Sequence, residues 1–417
     1  MLVVMEDMPK PLSAAEPLPP LELAQGHSAA GHLSGPFNEA ALEKFAAQLR
    51  ERLTAGAPTL GLVFMAPPFF EHAREALEII RLHARTPLLA GCSSHALVAT
   101  GHEIERDAGL ALALYHLPGA ELHGFHFPAR DVAEDVGAGY WPRQSGVAPE
   151  HTRGWLLFAD PFHMRTDQWL RGWNAAYAPR PILGGLAAGR DGEFASQVYL
   201  NGHVYEEGGV AVSVGGAVGI AGLVAQGCEP VGDTWTITRA EGSVIHQIGN
   251  RPAYQVLQET FAALPEAQRN RAKGNIFVGL AVNEYTDEFR RGDFLIRNLI
   301  GGDPKSGALQ VAAFPRQGQA VQFQLRDATA ATADLAEHLA QARADLAGKL
   351  VYGGCLCVCN GRGTHLFGRA DHDAGLVARS LGPLAFAGFF GNGEFGPVGP
   401  RNFIHGYSAT LALFTKA

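Results

Sequence analysis

The segment Thr59-Leu-Gly-Leu-Val-Phe-Met65 is an unbroken apolar run, and Pro87-Leu-Leu-Ala-Gly-Cys92 is a second one. The residues between them, Glu71 to Ala84, have the pattern of a helix. Short apolar runs that do not alternate with polar residues are typical of strands buried on both faces. A helix between two such strands, with short connections, indicates a βαβ unit. The sequence therefore predicts this unit over residues 59–92.

The rest of the chain mixes βα units with meanders. A helix is predicted after the N-cap residue Asn38, and further helices over residues 165–178, 252–263 and 329–347. Strands are predicted at residues 154–159, 181–185, 234–238, 243–248, 275–282, 294–300, 308–314, 321–325, 350–359 and 407–414. This order predicts an α+β fold with large, mostly antiparallel sheets covered by helices, in two intimately packed halves that form an αββα-like sandwich.

Changes in composition divide the chain into three parts. Prolines and alanines near the start predict a flexible leader over residues 1–35, followed by an N-terminal domain over 36–249 and a C-terminal domain over 250–417. Residues 208–225 carry no charge, which raises the question of a membrane span. A third of them are glycine and their valines alternate, so two buried strands joined at Gly215-Gly216 are favoured.

Charge and cysteine content exclude several classes of protein. The formal net charge is −8 and basic residues are scattered, which argues against binding to nucleic acid. The first residues include Glu6 and Asp7 and lack the positive start of a secretory signal. The five cysteines are an odd number and cluster, unlike a disulfide framework. We therefore expect a cytoplasmic protein without a membrane span.

Three segments share one design, in which a proline begins a short apolar strand that ends on glycine. They are Pro87-Leu-Leu-Ala-Gly-Cys-Ser-Ser94, Pro181-Ile-Leu-Gly-Gly-Leu-Ala-Ala188 and Pro383-Leu-Ala-Phe-Ala-Gly-Phe-Phe390. Glycine at a strand end permits positive φ or the close approach of another backbone or of a ligand. Two interpretations stay open. The segments are either buried strands that turn tightly, or three strand ends that converge on one cleft lined by Gly91, Cys92, Ser93, Gly184 and Gly185.

Cys355, Cys357 and Cys359 stand at alternate positions of one predicted strand. They then share a face at about 7 Å from one to the next, which is too far for a common zinc ion at Zn–S bonds of about 2.3 Å. That spacing also exceeds the usual distance between disulfide-bonded residues. We expect these cysteines to act as small hydrophobic residues on a buried face, with Cys359 as the most accessible.

The turn after this strand, Asn360-Gly-Arg-Gly363, holds Arg362 between two glycines. Backbone amides and a guanidinium that face one concavity suit a carboxylate or a phosphate, so Arg362 and Gly363 are candidate ligand-binding residues. A solvent-exposed arginine at this turn is the alternative.

The segment Gly388-Phe-Phe-Gly-Asn-Gly-Glu-Phe-Gly-Pro397 combines glycines and aromatics with one carboxylate. Phe389 and Phe390 could form a pocket wall beside Asn392, and Glu394 could hold an amine or pair with Arg362 internally. A single carboxylate gives no acid–base pair, so no catalytic residue is assigned. The histidines are dispersed without a metal-binding or haem-attachment motif, so no metal ligand and no cofactor are predicted from them.

These segments, together with Gly227-Cys-Glu-Pro-Val-Gly232 and Phe294-Leu-Ile-Arg-Asn-Leu-Ile-Gly-Gly-Asp303, resemble the FIST family in their order and spacing over roughly residues 30 to 415. The resemblance implies a sensory module of bacterial signal transduction that binds a small ligand, with amino acids proposed as ligands. One branch of the family is described as haem-binding sensors of nitric oxide.

Four functions follow as hypotheses. The first is a stand-alone small-ligand sensor in which Arg362 holds a carboxylate and Glu394 an amine, with Arg297 and Asn298 as a second anion-binding candidate. A separate signalling protein, such as a kinase, would then receive the signal. The others are a haem sensor, a thiol enzyme that uses Cys92 or Cys359, and a scaffold that only docks partner proteins.

Overall fold

The computed structural model describes residues 21–106, 109–129, 137–190, 192–283, 288–289 and 292–417. After a short strand, β1 (Glu22–Leu23), the first part of the chain contains β2 (Ser28–Leu33), α1 (Glu39–Glu51), β3 (Leu60–Met65), α2 (Ala73–Ala84), β4 (Leu89–Ser93), β5 (Leu97–Ala99), β6 (His102–Ile104) and β7 (Leu110–Tyr115). The second part contains β8 (Ala120–Phe127), α3 (Tyr140–Ser145), β9 (Gly154–Ala159), α4 (Thr166–Tyr177), β10 (Ile182–Leu186), β11 (Val198–Leu200), β12 (His203–Tyr205) and β13 (Gly209–Gly216).

The third part begins with β14 (Val218–Ala225) and is interrupted by a long insertion. The insertion contains β15 (Glu229–Glu241), β16 (Val244–Ile248), β17 (Arg251–Pro252), α5 (Ala253–Ala263), α6 (Glu266–Ala272), β18 (Ile276–Ala281), β19 (Phe294–Asp303), β20 (Ala308–Val311) and β21 (Ala320–Leu325). The third part then continues with α7 (Ala328–Asp345), β22 (Leu350–Cys359), α8 (Thr364–Phe367), α9 (His372–Leu381), β23 (Phe386–Gly391), β24 (Glu394–Val398), β25 (Arg401–His405) and β26 (Ala409–Lys416).

The structure confirms the α+β class with large, mostly antiparallel sheets. The parallel pairs are β3–β4, β9–β10, β22–β23 and the short pair β1–β22. The predicted βαβ unit is present as β3, α2 and β4, and β13 and β14 are the two buried strands predicted within residues 208–225. The N-terminal and C-terminal halves are closely interleaved, since β5 pairs with β23 and β24 pairs with β10.

The predicted leader over residues 1–35 is corrected in part. Residues 1–20 lie outside the described residues. Residues 28–33 form β2, which pairs antiparallel with β7 through a register that aligns Ser28 with Tyr115. Ala29 and Ala30 are buried in that pairing. Residues 28–33, which the sequence assigned to a flexible segment, therefore form the edge strand of a sheet.

Three of the four sheets repeat one plan. Their strand orders are β12-β11-β4-β3-β7-β2, β25-β24-β10-β9-β13-β8 and β6-β5-β23-β22-β26-β14. Each part of the chain thus supplies four strands in the same relative positions. Counted along the chain, the second and third of these four strands form the parallel pair. Each part also contains one pair of helices that pack against each other, α1 with α2, α3 with α4 and α7 with α9. The later helix of each pair is called the second helix. We call the three parts unit 1, unit 2 and unit 3.

Each unit gives a hairpin to its neighbour. The hairpin β5–β6 of unit 1 extends the sheet of unit 3, β11–β12 of unit 2 extends that of unit 1, and β24–β25 of unit 3 extends that of unit 2. This exchange is cyclic, so the three units close around a common centre. The fourth sheet, formed by the insertion, has a hydrophobic core of its own.

Close approach of the two parallel strands is required at one position in every unit. Gly91 is aligned with Val63, Gly184 with Leu157, and Gly388 with Leu356. A Cβ on any of these glycines would overlap the carbonyl oxygen of the residue aligned with it. The recurring glycine of the three proline-to-glycine segments is therefore a packing requirement of the parallel pair.

The next aligned position in each pair holds one phenylalanine and one small residue. The pairs are Phe64 with Cys92, Phe158 with Gly185, and Phe389 with Cys357. The three rings meet at the centre of the molecule, with centroids 5.0 to 5.9 Å apart. Aromatic pairs at such distances add stability beyond the area they bury. Because the residue aligned with each ring is small, the ring has room to pack at the centre. This explains why cysteine occurs at two of these positions.

Replacement of the close-approach glycine tests this packing. We expect Gly388→Ala to lower the free energy of unfolding by at least about 3 kcal/mol, because the methyl group overlaps backbone atoms that cannot move independently. Gly301→Ala is the matched control, since a Cβ there meets nothing within 4 Å. Urea denaturation monitored by circular dichroism measures both. Equal stability of the two variants would refute the close-approach requirement.

Candidate functional site

The three predicted strand ends do converge, but they form a packed core. The hydroxyl of Ser93 donates to the carbonyl of Ala188 at 2.8 Å, and that of Ser94 donates to the carbonyl of Phe390 at 2.6 Å. The amide of Asn392 donates to the carbonyl of Leu186 at 3.0 Å. These bonds join all three units at their strand ends. The strand-end candidates in this region are all buried: Gly91, Cys92, Ser93, Gly184, Gly185, Phe389 and Phe390.

Arg362 is also buried and binds a carboxylate of the protein itself. Its Nε and Nη2 atoms donate to the two oxygens of Asp373 at 2.6 and 3.0 Å, and its Nη1 atom donates to the carbonyl of Tyr407 at 3.2 Å. Both side chains of the ion pair are 0% exposed. Burial alone would raise the pKa of Asp373, but Arg362 and His372 outweigh it and hold that pKa at about 2. The guanidinium therefore already has its anion.

Glu394 lies beneath the surface and does not pair with Arg362. Its Oε2 atom accepts a hydrogen bond from the hydroxyl of Ser408 at 2.6 Å, while Oε1 is buried without a hydrogen-bond partner in the described part of the chain. Burial raises the pKa of Glu394 to about 8, so the carboxyl is largely protonated at neutral pH. Gly363 adopts a positive φ of 70° and starts the short helix α8.

The cysteines are buried thiols. All five are free, and the Sγ atoms of Cys355 and Cys357 are 4.0 Å apart. Burial, with a smaller contribution from Glu394, raises the pKa of Cys359 to about 12. Burial also raises the pKa of Cys92. Because the thiolate is the nucleophile, neither residue has the electropositive and accessible surroundings that thiol catalysis requires.

Three other predicted residues, Arg297, Asn298 and Asn392, lie together in an open cleft. We call it the arginine cleft. It consists of two adjoining recesses of about 700 and 550 Å³ that share Arg171 and Arg297. Its walls come from α4 of unit 2, from β25 of unit 3 and from β19 of the insertion. The described side chains with polar groups in its lining are Arg165, Thr166, Gln168, Arg171, Asn174, Arg297, Asn298, Asn392, Arg401, Asn402, His405 and Tyr407.

One wall of the cleft is a face of the helix α4. Arg165 precedes the first turn of α4, and Gln168 and Arg171 follow at intervals of three residues, so the three side chains share one face of the helix. The facing wall carries Arg297 on β19, and Arg401 lies on β25. Among the described lining residues there is no aspartate or glutamate. Four guanidinium groups thus line the two adjoining recesses, of which Arg171 and Arg297 line both, in a chain whose formal net charge is −8.

The polar floor of the cleft is held by tertiary hydrogen bonds. The Asn298 side-chain amide donates to the Tyr407 hydroxyl at 3.1 Å, and that of Asn392 donates to the carbonyl of Ala187 at 3.0 Å. The guanidinium of Arg326 lies 4.3 Å from the centroid of the Tyr407 ring. Tyr407 has a positive φ of 62° and its carbonyl binds Arg362. The buried ion pair therefore fixes the residue that forms the base of the cleft.

Both buried histidines contact polar groups of the protein. The ring nitrogens of His372 contact Thr332 Oγ1 at 2.9 Å and Asp373 Oδ1 at 2.8 Å. Those of His405 contact Gly396 O at 3.1 Å and Gln226 Oε1 at 3.4 Å. Burial, with a smaller effect of Arg297, lowers the pKa of His405 to about 4, so its ring is neutral. No group of three potential metal ligands occurs within the described residues.

Sequence reasoning missed Arg165, Arg171 and Arg401. The spacing of Arg165, Gln168 and Arg171 along a predicted helix was the available signal for two of them. Arg401 had none, because its position beside α4 depends on the exchange of hairpin β24–β25 from unit 3 to unit 2.

Comparison with known proteins identifies the family of this chain. The model of the FIST N domain matches residues 59–251, and the model of the FIST C domain matches residues 253–397. FIST domains are associated with signal transduction and with the sensing of small ligands. The chain belongs to the FIST family.

Relatives of similar length occur in mycobacteria. The uncharacterized protein Rv0628c of Mycobacterium tuberculosis is 33% identical over 384 residues, which cover 92% of this chain and 98% of the relative. The uncharacterized protein Mb0898c of Mycobacterium bovis is 32% identical over 392 residues, which cover 90% of this chain and 95% of the relative.

One solved structure, described as "Cyanuric acid hydrolase: evolutionary innovation by structural concatenation", matches with a TM-score of 0.27 and 11% identity. The match covers 94% of this chain and 100% of the other. A TM-score this low supports no inference about function. Within the described residues, no helix has both the length and the apolar character that a membrane crossing needs.

Loss of Arg362 tests its structural role. We expect Arg362→Met to lower the free energy of unfolding by about 3–5 kcal/mol, because Asp373 is left as an uncompensated buried charge. The control is Arg190→Met, which removes a partly exposed ion pair with Glu71 and should cost at most about 1 kcal/mol. Urea titrations measure both. A loss for Arg362→Met no larger than the control would show that Arg362 is not a structural anchor.

The buried carboxyl of Glu394 predicts a pH dependence of stability. The folded state keeps a proton that the unfolded carboxyl, with an ordinary pKa of about 4.3, releases. Glu394 therefore favours unfolding increasingly as pH rises from about 5 to 8, by at most about 1.4 kcal/mol per pH unit. We expect the stability of Glu394→Gln relative to wild type to increase over this range. Parallel curves of unfolding free energy against pH would contradict the protonated state of Glu394.

Proposed function

We propose that this FIST protein is a sensor that binds a small anionic metabolite in the arginine cleft. The observation that supports the proposal is the set of Arg165, Arg171, Arg297 and Arg401 around two adjoining recesses without a described acidic lining residue. Guanidinium groups match carboxylates and phosphates in both charge and geometry. A protein with a net negative charge that gathers four arginines in one cleft has a local field that favours small anions.

Neutral donors beside the arginines would orient the ligand. Asn298, Asn392 and the Tyr407 hydroxyl are polar groups held in place by other parts of the fold, so they lose little freedom on binding. An amino acid fits this ligand class, with its carboxylate on the arginines. Its amine would then find amide or hydroxyl oxygens, because Glu394 is buried away from the cleft lining.

The position of the cleft suits a sensory role. One wall belongs to the repeated units and the other to the insertion, so a single ligand contacts both bodies. A ligand that contacts both the repeated units and the insertion stabilises the conformation in which both contacts are made. The proposed receiver of this change is a separate signalling protein, such as a kinase. The free, buried cysteines are compatible with the proposed cytoplasmic location.

The alternative functions have weaker support. A haem sensor needs an axial ligand, and each buried histidine already contacts polar groups of the protein, His372 next to Asp373 and His405 next to Gly396. A thiol enzyme needs an accessible thiolate, and burial raises the pKa of both Cys92 and Cys359. We therefore derive no step through haem and assign no nucleophile.

A binding screen tests the anion site. Isothermal titration calorimetry with inorganic phosphate, citrate, aspartate and glutamate should show binding to wild-type protein. Arg297→Gln should weaken the best of these ligands by at least about tenfold, because a hydrogen-bonded charge pair contributes about 1.5–3 kcal/mol. The control, Arg81→Gln, changes an exposed arginine on α2 outside the cleft. Binding unchanged by Arg297→Gln, or equally weakened by the control, would refute the site.

A further inference from the structure

A second cavity, of about 1250 Å³, lies on the other side of the buried Arg362 ion pair. We call it the hairpin cavity. It is bounded by β2, by the hairpin β5–β6 of unit 1 and by residues 364–371, which precede α9 of unit 3. Unlike the arginine cleft, it has carboxylates in its wall, namely Glu103, Glu105 and Asp371.

Glu103 has one carboxylate oxygen without a hydrogen-bond partner. The residue is 7% exposed, and its Oε1 atom accepts hydrogen bonds from the amides of Asp373 at 2.7 Å and Ala374 at 2.9 Å. Oε1 therefore caps the first turn of α9. The other oxygen, Oε2, is buried without a hydrogen-bond partner among the described residues. A buried oxygen of this kind is costly unless a donor reaches it.

The remaining carboxylates are fixed in place around Glu103. Asp371 accepts the amide of Glu103 at 2.7 Å and lies 3.2 Å from His102 Nδ1. Glu105 accepts the amide of Thr364 at 2.8 Å. Burial and the charge of Asp373 raise the pKa of Glu103 to about 7. A cation bound among these carboxylates would stabilise the buried negative charge and reduce the repulsion between neighbouring carboxylates.

The repeat places the hairpin cavity and the arginine cleft at equivalent positions. In each case the outer strand of an exchanged hairpin packs against the second helix of the receiving unit, as β6 does against α9 and β25 against α4. A recess beside the start of that helix occurs at both places. The same architecture thus forms two recesses whose walls differ in charge.

We propose that the hairpin cavity is a second ligand site and that it binds a small organic amine, whose ammonium group lies among the carboxylates of Glu103, Glu105 and Asp371. Arg52 and Arg106 also line the cavity, and Arg52 donates to the carbonyl of Ala30 at 3.3 Å. Arg52 follows α1 and Arg106 follows β6, three residues after Glu103, and both arginines disfavour a second ammonium near them. The ligand is therefore a compact amine whose remaining part is neutral or anionic.

Calorimetric titration with n-butylamine and its neutral counterpart n-butanol tests the charge requirement. We expect the amine to bind wild-type protein and the alcohol not to bind. Glu103→Gln keeps an oxygen for the amides of α9 and removes the charge, so amine affinity should fall by at least about tenfold. Glu75→Gln, an exposed carboxylate on α2, is the matched control and should leave affinity unchanged.

A second variant keeps the test decisive if Glu103→Gln fails to fold. Ser34 is an exposed residue in the cavity wall, and Ser34→Lys adds a positive charge there, so it should weaken amine binding. Arg297→Gln should leave amine binding intact, which separates this site from the arginine cleft. Failure of wild-type protein to bind the amine, equal affinity for amine and alcohol, or unchanged affinity in Ser34→Lys would each overturn the proposal.

Discussion

The contact on which the structure depends is the close approach of two parallel strands at a glycine. It occurs in all three units, where Gly91, Gly184 and Gly388 each face a backbone carbonyl that leaves no room for a side chain. Close approach brings the next residue pair into one layer. There Phe64, Phe158 and Phe389 fill the centre, and each ring is aligned with a cysteine or a glycine. Units 1 and 2 carry the phenylalanine on the first strand of the parallel pair, and unit 3 carries it on the second.

This filled centre determines where ligands can bind. The strand ends that meet there are joined by Ser93 and Ser94, whose hydroxyl groups are used in bonds between units. Recesses of the size of a small molecule form instead at the periphery, where an exchanged hairpin meets the second helix of the next unit. The buried pair of Arg362 and Asp373 lies between two such recesses. Its bonds to Tyr407 and its link through Asp373 to Glu103 give both recesses a common rigid support.

Much of the fold could be predicted from the sequence, because apolar runs and helical spacing are local signals. The βαβ unit, the buried strands around Gly215 and the row of cysteines on one strand face are local in this sense. The cyclic exchange of hairpins was not predictable in this way. It pairs strands far apart in the chain, such as β5 with β23, and no short pattern records the partner. The strand β2 was misjudged for the same reason, since its apolar residues are explained only by pairing with β7.

The candidate site shows the same limit. The glycines next to Arg362 suggested an exposed anion site. In the structure these glycines form the turn, and the guanidinium points inward and binds Asp373, eleven positions further along the chain. Arg297 and Asn298 were predicted as ligand-binding candidates from the sequence because they stand beside a glycine-rich turn. Their companions Arg171 and Arg401 come from other units, so only the assembled fold brings the four arginines together.

The most direct test of the account is the position of a bound anion in a crystal. Crystals soaked with 4-bromobenzoate can be measured at the bromine absorption edge, where anomalous scattering locates the ligand without reference to the protein. The account predicts the strongest bromine peak between α4, β19 and β25, with the carboxylate toward Arg171 and Arg297. A peak at the strand ends beside Ser93 and Phe390, with none in the arginine cleft, would contradict it.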